Sequence, residues 1–257
     1  MIKPGEIQNK ARAAGVRDQQ IEKDYMLSWI LQGVSEHSTL SKAIVFKGGT
    51  VLKKVYFEDY RFSEDLDFTL LDTAVSDEQI FEWFAEVFEY IKEEANIPLE
   101  IIDNNEHQDG DINFYISYVG PLGGLGANKK VKVDISRSEE LVFEPVLNKV
   151  FISYSDQEEH QLLCYSLEEV LVEKLRCVMQ RMQARDFYDI WFFFKCSIRI
   201  LIFTLQNLGK NVKTKKLTQR NFILNSNKGY LNTKDVGKNL WQTKFKIYQT
   251  LKPFYVK

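Results

Sequence analysis

The stretch Asp65-Leu-Asp-Phe-Thr-Leu70 alternates strictly between polar and apolar residues. This period of two predicts a strand with Leu66, Phe68 and Leu70 on a buried face and Asp65, Asp67 and Thr69 on the other. The polar face then carries two carboxylates about 6.6 Å apart along the strand. Charges fixed in this way repel each other unless a cation sits between them. Hard oxygen donors favour Mg2+ or Mn2+ over zinc. The competing reading is an ordinary solvated strand face, because Asp-x-Asp pairs are common.

The residues around this strand define the rest of the fold. Ala43–Phe46 is an apolar run that ends at Lys47-Gly-Gly-Thr50, a strand-to-turn signal, and Val51, Leu52, Val55 and Tyr56 then predict a helix. Residues 19–33 and 77–95 carry helical periodicity, the second with an acidic outer face. Strands are expected at Leu99–Ile102, Ile112–Val119, Lys130–Ser136 and Val146–Ser153. From Leu167 onward the pattern is helical. The expected class is α+β, a mixed sheet flanked by helices and followed by a helical C-terminal region. A soft boundary near Glu159–Ser166 divides residues 1–160 from residues 161–257.

Composition narrows the setting. The apolar runs at Ile190–Phe194 and Ile200–Phe203 are far shorter than the roughly 20 residues that span a bilayer, so no membrane partner is expected. The first residues show no apolar signal region, and the three cysteines, Cys164, Cys177 and Cys196, form no CxxC pair. A reducing, cytoplasmic location is expected. Net charge is −2 overall, yet Lys195–Lys257 holds 14 Lys and Arg against the single acid Asp235. An acidic body thus carries a basic C-terminal region. This asymmetry fits a polyanionic partner or, equally, a solvated basic face.

Three further features bear on chemistry. In Lys130-Val-Lys-Val-Asp-Ile135 the apolar residues face one way and Asp134 the other. If this strand neighbours the first, Asp134 joins Asp65 and Asp67, and three carboxylates can hold two metals about 3.5–4 Å apart. The alternative for Asp134 is pairing with Lys132 or Arg137. Gly48-Gly49-Thr50 opens a helix after a strand, where backbone N–H groups and the Thr hydroxyl can meet a phosphate. The alternative there is a tight turn with Thr50 as helix cap. Arg61 and Ser63, just before the acidic strand, could reach phosphate oxygens, or Arg61 could pair with Glu58 or Glu64.

The order strand, Gly-Gly-Thr, fourteen residues, Asp-x-Asp, later strand Asp resembles the polymerase-β-type nucleotidyltransferase superfamily. Phe46-Lys-Gly-Gly-Thr-Val-Leu52 with Arg61-Phe-Ser-Glu-Asp-Leu-Asp-Phe68 is similar to the AbiEii/AbiGii toxin family, which includes the MenT-type toxins. Ile21-Glu-Lys-Asp-Tyr25, Glu173-Lys-Leu-Arg176 and Arg185-Asp-Phe-Tyr-Asp189 match that family as well. The resemblance implies a nucleotidyltransferase-type sheet. It implies that Gly49 and Thr50 hold nucleotide phosphates and that Asp65 and Asp67 bind metal. Lys174 matches the family's third-motif lysine and Asp186 its fourth-motif aspartate. Arg185 stands where the family often has Lys, and Thr50 where the superfamily commonly has Ser.

Helical geometry bears separately on Lys174. At 100° per residue from Leu167, Lys174 and Arg181 fall inside the stripe formed by Val170, Leu171, Leu175, Val178 and Met182. Both cations therefore point toward protein, where an unpartnered charge is costly. A triphosphate is one suitable partner; snorkelling, or pairing with Asp186 or another acid, is the other. Asp189 is expected to pair with Arg185 one helical turn away. The aromatic run from Phe187 to Phe194 reads as core. The expected activity is NMP transfer from an NTP, with Mg2+ or Mn2+, to an RNA acceptor such as the tRNA 3′ end. Growth arrest or abortive infection in antiviral defence would follow, and an antitoxin encoded nearby would be the partner. The alternatives are NMP transfer to a protein hydroxyl and an inactive nucleotide-binding module.

Overall fold

The computed structural model describes residues 1–106, 111–124, 129–137, 139–181 and 183–196. It divides into two compact units, Met1–Ser166 and Leu167–Lys257. The first unit opens with α1 (Pro4–Ala14), α2 (Asp18–Glu36) and the short α3 (Leu40–Ala43). Then come β1 (Ile44–Lys47), α4 (Gly48–Val51) running into a π-helical stretch at Leu52–Tyr56, β2 (Asp65–Leu70) and α5 (Asp77–Ala95). The strands β3 (Leu99–Glu106), β4 (Ile112–Tyr118), β5 (Lys130–Ser136), β6 (Val146–Lys149) and β7 (Gln161–Cys164) complete it. They form one mixed sheet in the order β3-β4-β5-β2-β1-β7-β6. Two neighbouring pairs are parallel, β2 with β5 and β1 with β7. The others are antiparallel.

The apolar half of each alternating strand builds the core. Leu66 and Phe68 of β2 and Val131, Val133 and Ile135 of β5 are buried, as are Phe46 and Phe114 on the strands beyond them. Helix α5 covers this face with Ile80, Phe84, Val87 and Ile91, and Phe84 meets Phe114 edge-on at 5.1 Å between centroids. Its ends are set locally. The Ser76 hydroxyl accepts the Gln79 N–H at one end, and Asn96, at φ 54°, caps the other.

Helix α2 is buried nearly all round, including its polar residues Glu22, Asp24, Ser28 and Gln32. Gly33 lets it lie against α5, since an added Cβ would meet Val87 at 2.8 Å. A helix buried on every side must find a partner for each polar group it carries. Glu22 accepts from the β4–β5 loop, Asp24 and Ser28 from the Lys54 ammonium, and Gln32 from the Glu158 N–H.

Several elements differ from the sequence expectation, among them the short α3 and the longer β3. Helix α1 was not expected, although Pro4 sits in its first turn and Gly15, at φ 66°, in its C-terminal cap. The strand expected to run to Ser153 ends at Lys149. Strand β7 falls inside the Glu159–Ser166 stretch read as a boundary, and it pairs with β1 and β6 of the sheet.

The second unit contains α6 (Leu167–Arg181) and α7 (Ala184–Cys196). Ile190, Phe192 and Phe193 are buried, in keeping with the core reading of the aromatic run. The helical pattern expected beyond Cys196 lies outside the described residues. Among the described residues, no helix is long and apolar enough to cross a membrane.

Candidate active site

The site is assembled where β1 turns into α4 beside β2. Lys47 ends β1 opposite Asp67, and Gly48 follows at φ 78°. A Cβ at Gly48 would collide with the Asp67 carboxylate. Glycine is therefore required here twice, for the left-handed backbone and for the close approach. Two residues on, the buried Thr50 donates its hydroxyl to the Asp65 carbonyl at 2.5 Å. The hydroxyl expected at a phosphate or as a helix cap thus ties the glycine turn to the main chain of β2. Helix α4 has no side-chain cap.

The register decides where the third acid lies. In the parallel pair, Asp65 stands opposite Lys132 and Asp67 opposite Asp134. Residues opposite one another on adjacent strands share a face. Asp65, Asp67 and Asp134 therefore occupy one half-buried face, and Asn113 of β4 continues the row beyond Asp134. The Asp134 carboxylate receives Lys132, whose ammonium lies 2.7 Å away. Arg137, the other candidate partner, instead meets Asp77 at 2.5 Å.

Charge is concentrated at this face. Burial pushes the Asp65 carboxyl above the usual carboxylate range, Lys23 pulls it down, and the neighbouring Asp134 charge pushes it up again. Lys23, on α2, also pairs with Glu64 at 3.2 Å. Further along β1 and β2 the face closes over a polar cluster. The Glu139 carboxylate accepts from Lys47, from Thr69 at 3.2 Å and from Tyr165 at 2.9 Å. Arg61 lies 5.4 Å from the centre of the Tyr60 ring and reaches the Phe62 carbonyl at 3.5 Å. Ser63, half-buried, follows it.

Among the described residues, no three His, Cys, Asp or Glu side chains converge tightly enough to hold a metal ion as they stand. The donor chemistry nevertheless fits a hard divalent cation: three carboxylates on one face, one of them disfavoured in its ionised form by burial and by a like charge. Asp65, Asp67 and Asp134 are the residues that would hold it.

Sequence reasoning missed the support for this face, which comes from Glu22, Lys23 and Asp24 in one turn of α2. Glu22, fully buried, accepts the Leu122 N–H at 2.8 Å and pairs with Lys129, and it fills the space that a side chain at Gly120 would need. Lys23 holds Glu64, next to Asp65. Asp24 takes the Lys54 ammonium at 2.7 Å and the Tyr154 hydroxyl at 2.8 Å. Three consecutive residues thus grip the β4–β5 loop, the approach to β2 and the helical stretch after the glycine turn. The available signal was the Glu-Lys-Asp triplet of Ile21–Tyr25, a family match to which the sequence alone assigned no role.

In the second unit, Lys174 is buried and its ammonium lies 3.0 Å from Asp189. This corrects the expectation that Asp189 serves Arg185, which is exposed. A buried lysine needs a counter-charge, and Asp189, fully buried one helix away, supplies it. Of the open alternatives for Lys174, pairing with an acid is the one the structure contains. Asp186 is also fully buried. The Arg181 side chain lies outside the described residues.

The family described as "Nucleotidyl transferase AbiEii toxin, Type IV TA system" matches residues 29–242. Among solved structures, MenT4, a nucleotidyltransferase toxin from Mycobacterium tuberculosis, is similar in fold, with a TM-score of 0.60 and 23% identity over 83% of this chain and 73% of that one. JHP933 from Helicobacter pylori matches with a TM-score of 0.53 and 17% identity over 92% of this chain and 95% of that one. No curated protein matches.

Proposed function

The chain belongs to the AbiEii family of nucleotidyltransferase toxins, and on that premise we propose that it transfers a nucleoside monophosphate from an NTP to RNA, with the tRNA 3′ end as acceptor. Family membership makes it a nucleotidyltransferase, the toxin of a type IV toxin–antitoxin system with an NTP substrate and a cognate antitoxin. Growth arrest, serving as abortive infection against phage, would be the cellular outcome.

In this reading Asp65, Asp67 and Asp134 hold Mg2+ or Mn2+. When bound, the cation offsets negative charge on the triphosphate and on the attacking oxygen. The Gly48–Gly49 main chain approaches the phosphates, Thr50 keeps that turn fixed to β2, and Arg61 and Ser63 line the approach. By the family resemblance we read Lys174, whose ammonium Asp189 holds, and Asp186 as the third- and fourth-motif residues for nucleotide binding and catalysis. An acceptor hydroxyl attacks the α-phosphorus. An O–P bond forms, the bond to pyrophosphate breaks, and Asp134 takes the hydroxyl proton. Positioning and charge neutralisation supply most of the rate.

The observation that supports this reading most is the register that sets Asp134 beside Asp67 on a parallel neighbour. The basic region Lys195–Lys257 favours a polyanionic acceptor. The test is incubation of the purified chain with each labelled NTP and total cellular RNA, followed by RNase or protease. Label lost to RNase supports an RNA acceptor, whereas label lost to protease points to a protein hydroxyl. Binding of NTP without transfer to anything in the lysate points to an inactive module. Asp65→Asn and Asp67→Asn should each lower pyrophosphate release about 1,000-fold, roughly 4 kcal/mol of transition-state stabilisation. Full turnover in both variants would reject the mechanism.

A further inference from the structure

The acidic face contains a further charged residue to which the proposed mechanism gives no role. Lys132 lies on β5 directly opposite Asp65 and two residues before Asp134. Strand spacing of about 4.8 Å and a two-residue repeat near 6.6 Å make these positions a rectangle. Asp65, Asp67 and Asp134 occupy three corners and Lys132 the fourth. Its ammonium leans along β5 to Asp134, 2.7 Å away. Burial works against the charge on Lys132, but the hydrogen bond and charge of Asp134, together with the charge of Asp65, outweigh it and hold the ammonium above its usual range.

An ammonium donates three hydrogen bonds and accepts none. It takes up one of the lone pairs of Asp134 that a divalent cation would otherwise use, and the two positive charges repel. Its hold is also breakable. About a third of each side chain, 33% for Lys132 and 31% for Asp134, remains exposed, so the released ammonium regains water. Lys132 therefore occupies part of the space and charge that a metal would take.

Resting on the metal-dependent reading above, we propose that Lys132 is a built-in counter-cation of the carboxylate trio, which a divalent metal displaces from Asp134 in order to bind. Lys132 holds the Asp134 carboxylate in place without metal, and it holds down the metal affinity of the nucleotide-free enzyme. It is a positioning residue that acts through Asp134.

The test is Mn2+ titration of the full chain without nucleotide, with free Mn2+ followed by electron paramagnetic resonance. Lys132→Met should bind Mn2+ about tenfold more tightly than the wild type, the effect expected for removing one competing charge from a half-buried site. Lys132→Arg, which keeps the charge, should stay within about twofold. Lys132→Gln is titrated in parallel, and the variants whose thermal unfolding shows a folded chain are scored. Unchanged or weaker Mn2+ binding in a folded neutral variant overturns the role of Lys132, provided that the wild type binds and Asp65→Asn does not. If wild type, Lys132→Met and Asp65→Asn are all equally without bound Mn2+, the metal reading itself falls, and this inference falls with it.

Discussion

Two lysine–aspartate pairs in the first unit have the same 2.7 Å separation and opposite characters. Lys54 and Asp24 are closed off, with side chains 1% and 4% exposed, whereas Lys132 and Asp134 are about one-third exposed. The Lys54 ammonium also reaches the Ser28 hydroxyl at 2.7 Å and the Asp24 carbonyl at 3.2 Å, so all three of its donors are used. Burial lowers the Lys54 pKa, and only Asp24 opposes that substantially. Lys132 has a single acceptor and access to water. Distance therefore says little about what an ion pair is for. Burial and the count of satisfied donors separate a clamp from a contact that can be exchanged.

The sharpest way to break this comparison is to truncate both lysines. Lys54→Met should cost about 3–5 kcal/mol of stability, because it leaves Asp24 buried and uncompensated. The same change at Lys132 should cost less than about 1 kcal/mol. Urea unfolding of the two variants measures both, and equal losses would remove the distinction. Activity should fall in Lys54→Met only as far as the folded fraction does.

A smaller effect is expected where the glycine turn touches the acidic strand. Gly48→Ala should lower turnover about 100-fold, since the new methyl must displace the Asp67 carboxylate and the backbone must leave φ 78°. Stability should fall by about 1–2 kcal/mol. Steady-state rates beside thermal melts test this, and a loss of turnover no larger than the loss of folded protein would refute it.

The smallest effect concerns stability alone. Burial raises the folded pKa of Asp65, so the folded state binds its proton more tightly than the unfolded chain does. That contribution to stability is present below the unfolded pKa of about 3.9 and is lost as pH rises through the folded value. Asp65→Asn, which never ionises, should melt at the wild-type temperature or about 2 °C above it at pH 7. Its advantage over the wild type should shrink on acidification toward pH 3. Melts across that range measure the sign. A variant markedly less stable at pH 7 would mean that the carboxylate supports the fold.

Much of the frame could be read from the chain because alternating strands announce their faces. Leu66, Phe68 and Leu70 went inward, and so did Val131, Val133 and Ile135. The Gly48-Gly49-Thr50 turn announced itself through its glycines, although the partner of Thr50 did not, since a hydroxyl can serve a ligand or a main-chain carbonyl equally well. Lys132 could be read as a partner of Asp134 but not as the residue facing Asp65, because one strand's sequence says nothing about which residue stands opposite on the next. Glu22 and Asp24 were seen within Ile21–Tyr25, but their supporting role was not, because helical periodicity marks an apolar stripe and does not show that a helix is enclosed on all sides. Lys174 was rightly read as inward-facing, yet spacing could not show that Asp189 would answer its charge.

The parallel pairing of β2 with β5 also constrains how such a chain can vary over time. Connections between these strands can gain or lose residues at modest entropic cost, because closing a loop depends only weakly on its length. Loss of Lys130 alone, with the loop before it held, is a different event. It would shift the strand by one, setting Asp134 in the place of Val133, opposite Leu66 on the buried face, and turning Val131 to the polar face. Relatives of this protein should therefore differ freely in the length of these loops while keeping the parity of the strands intact.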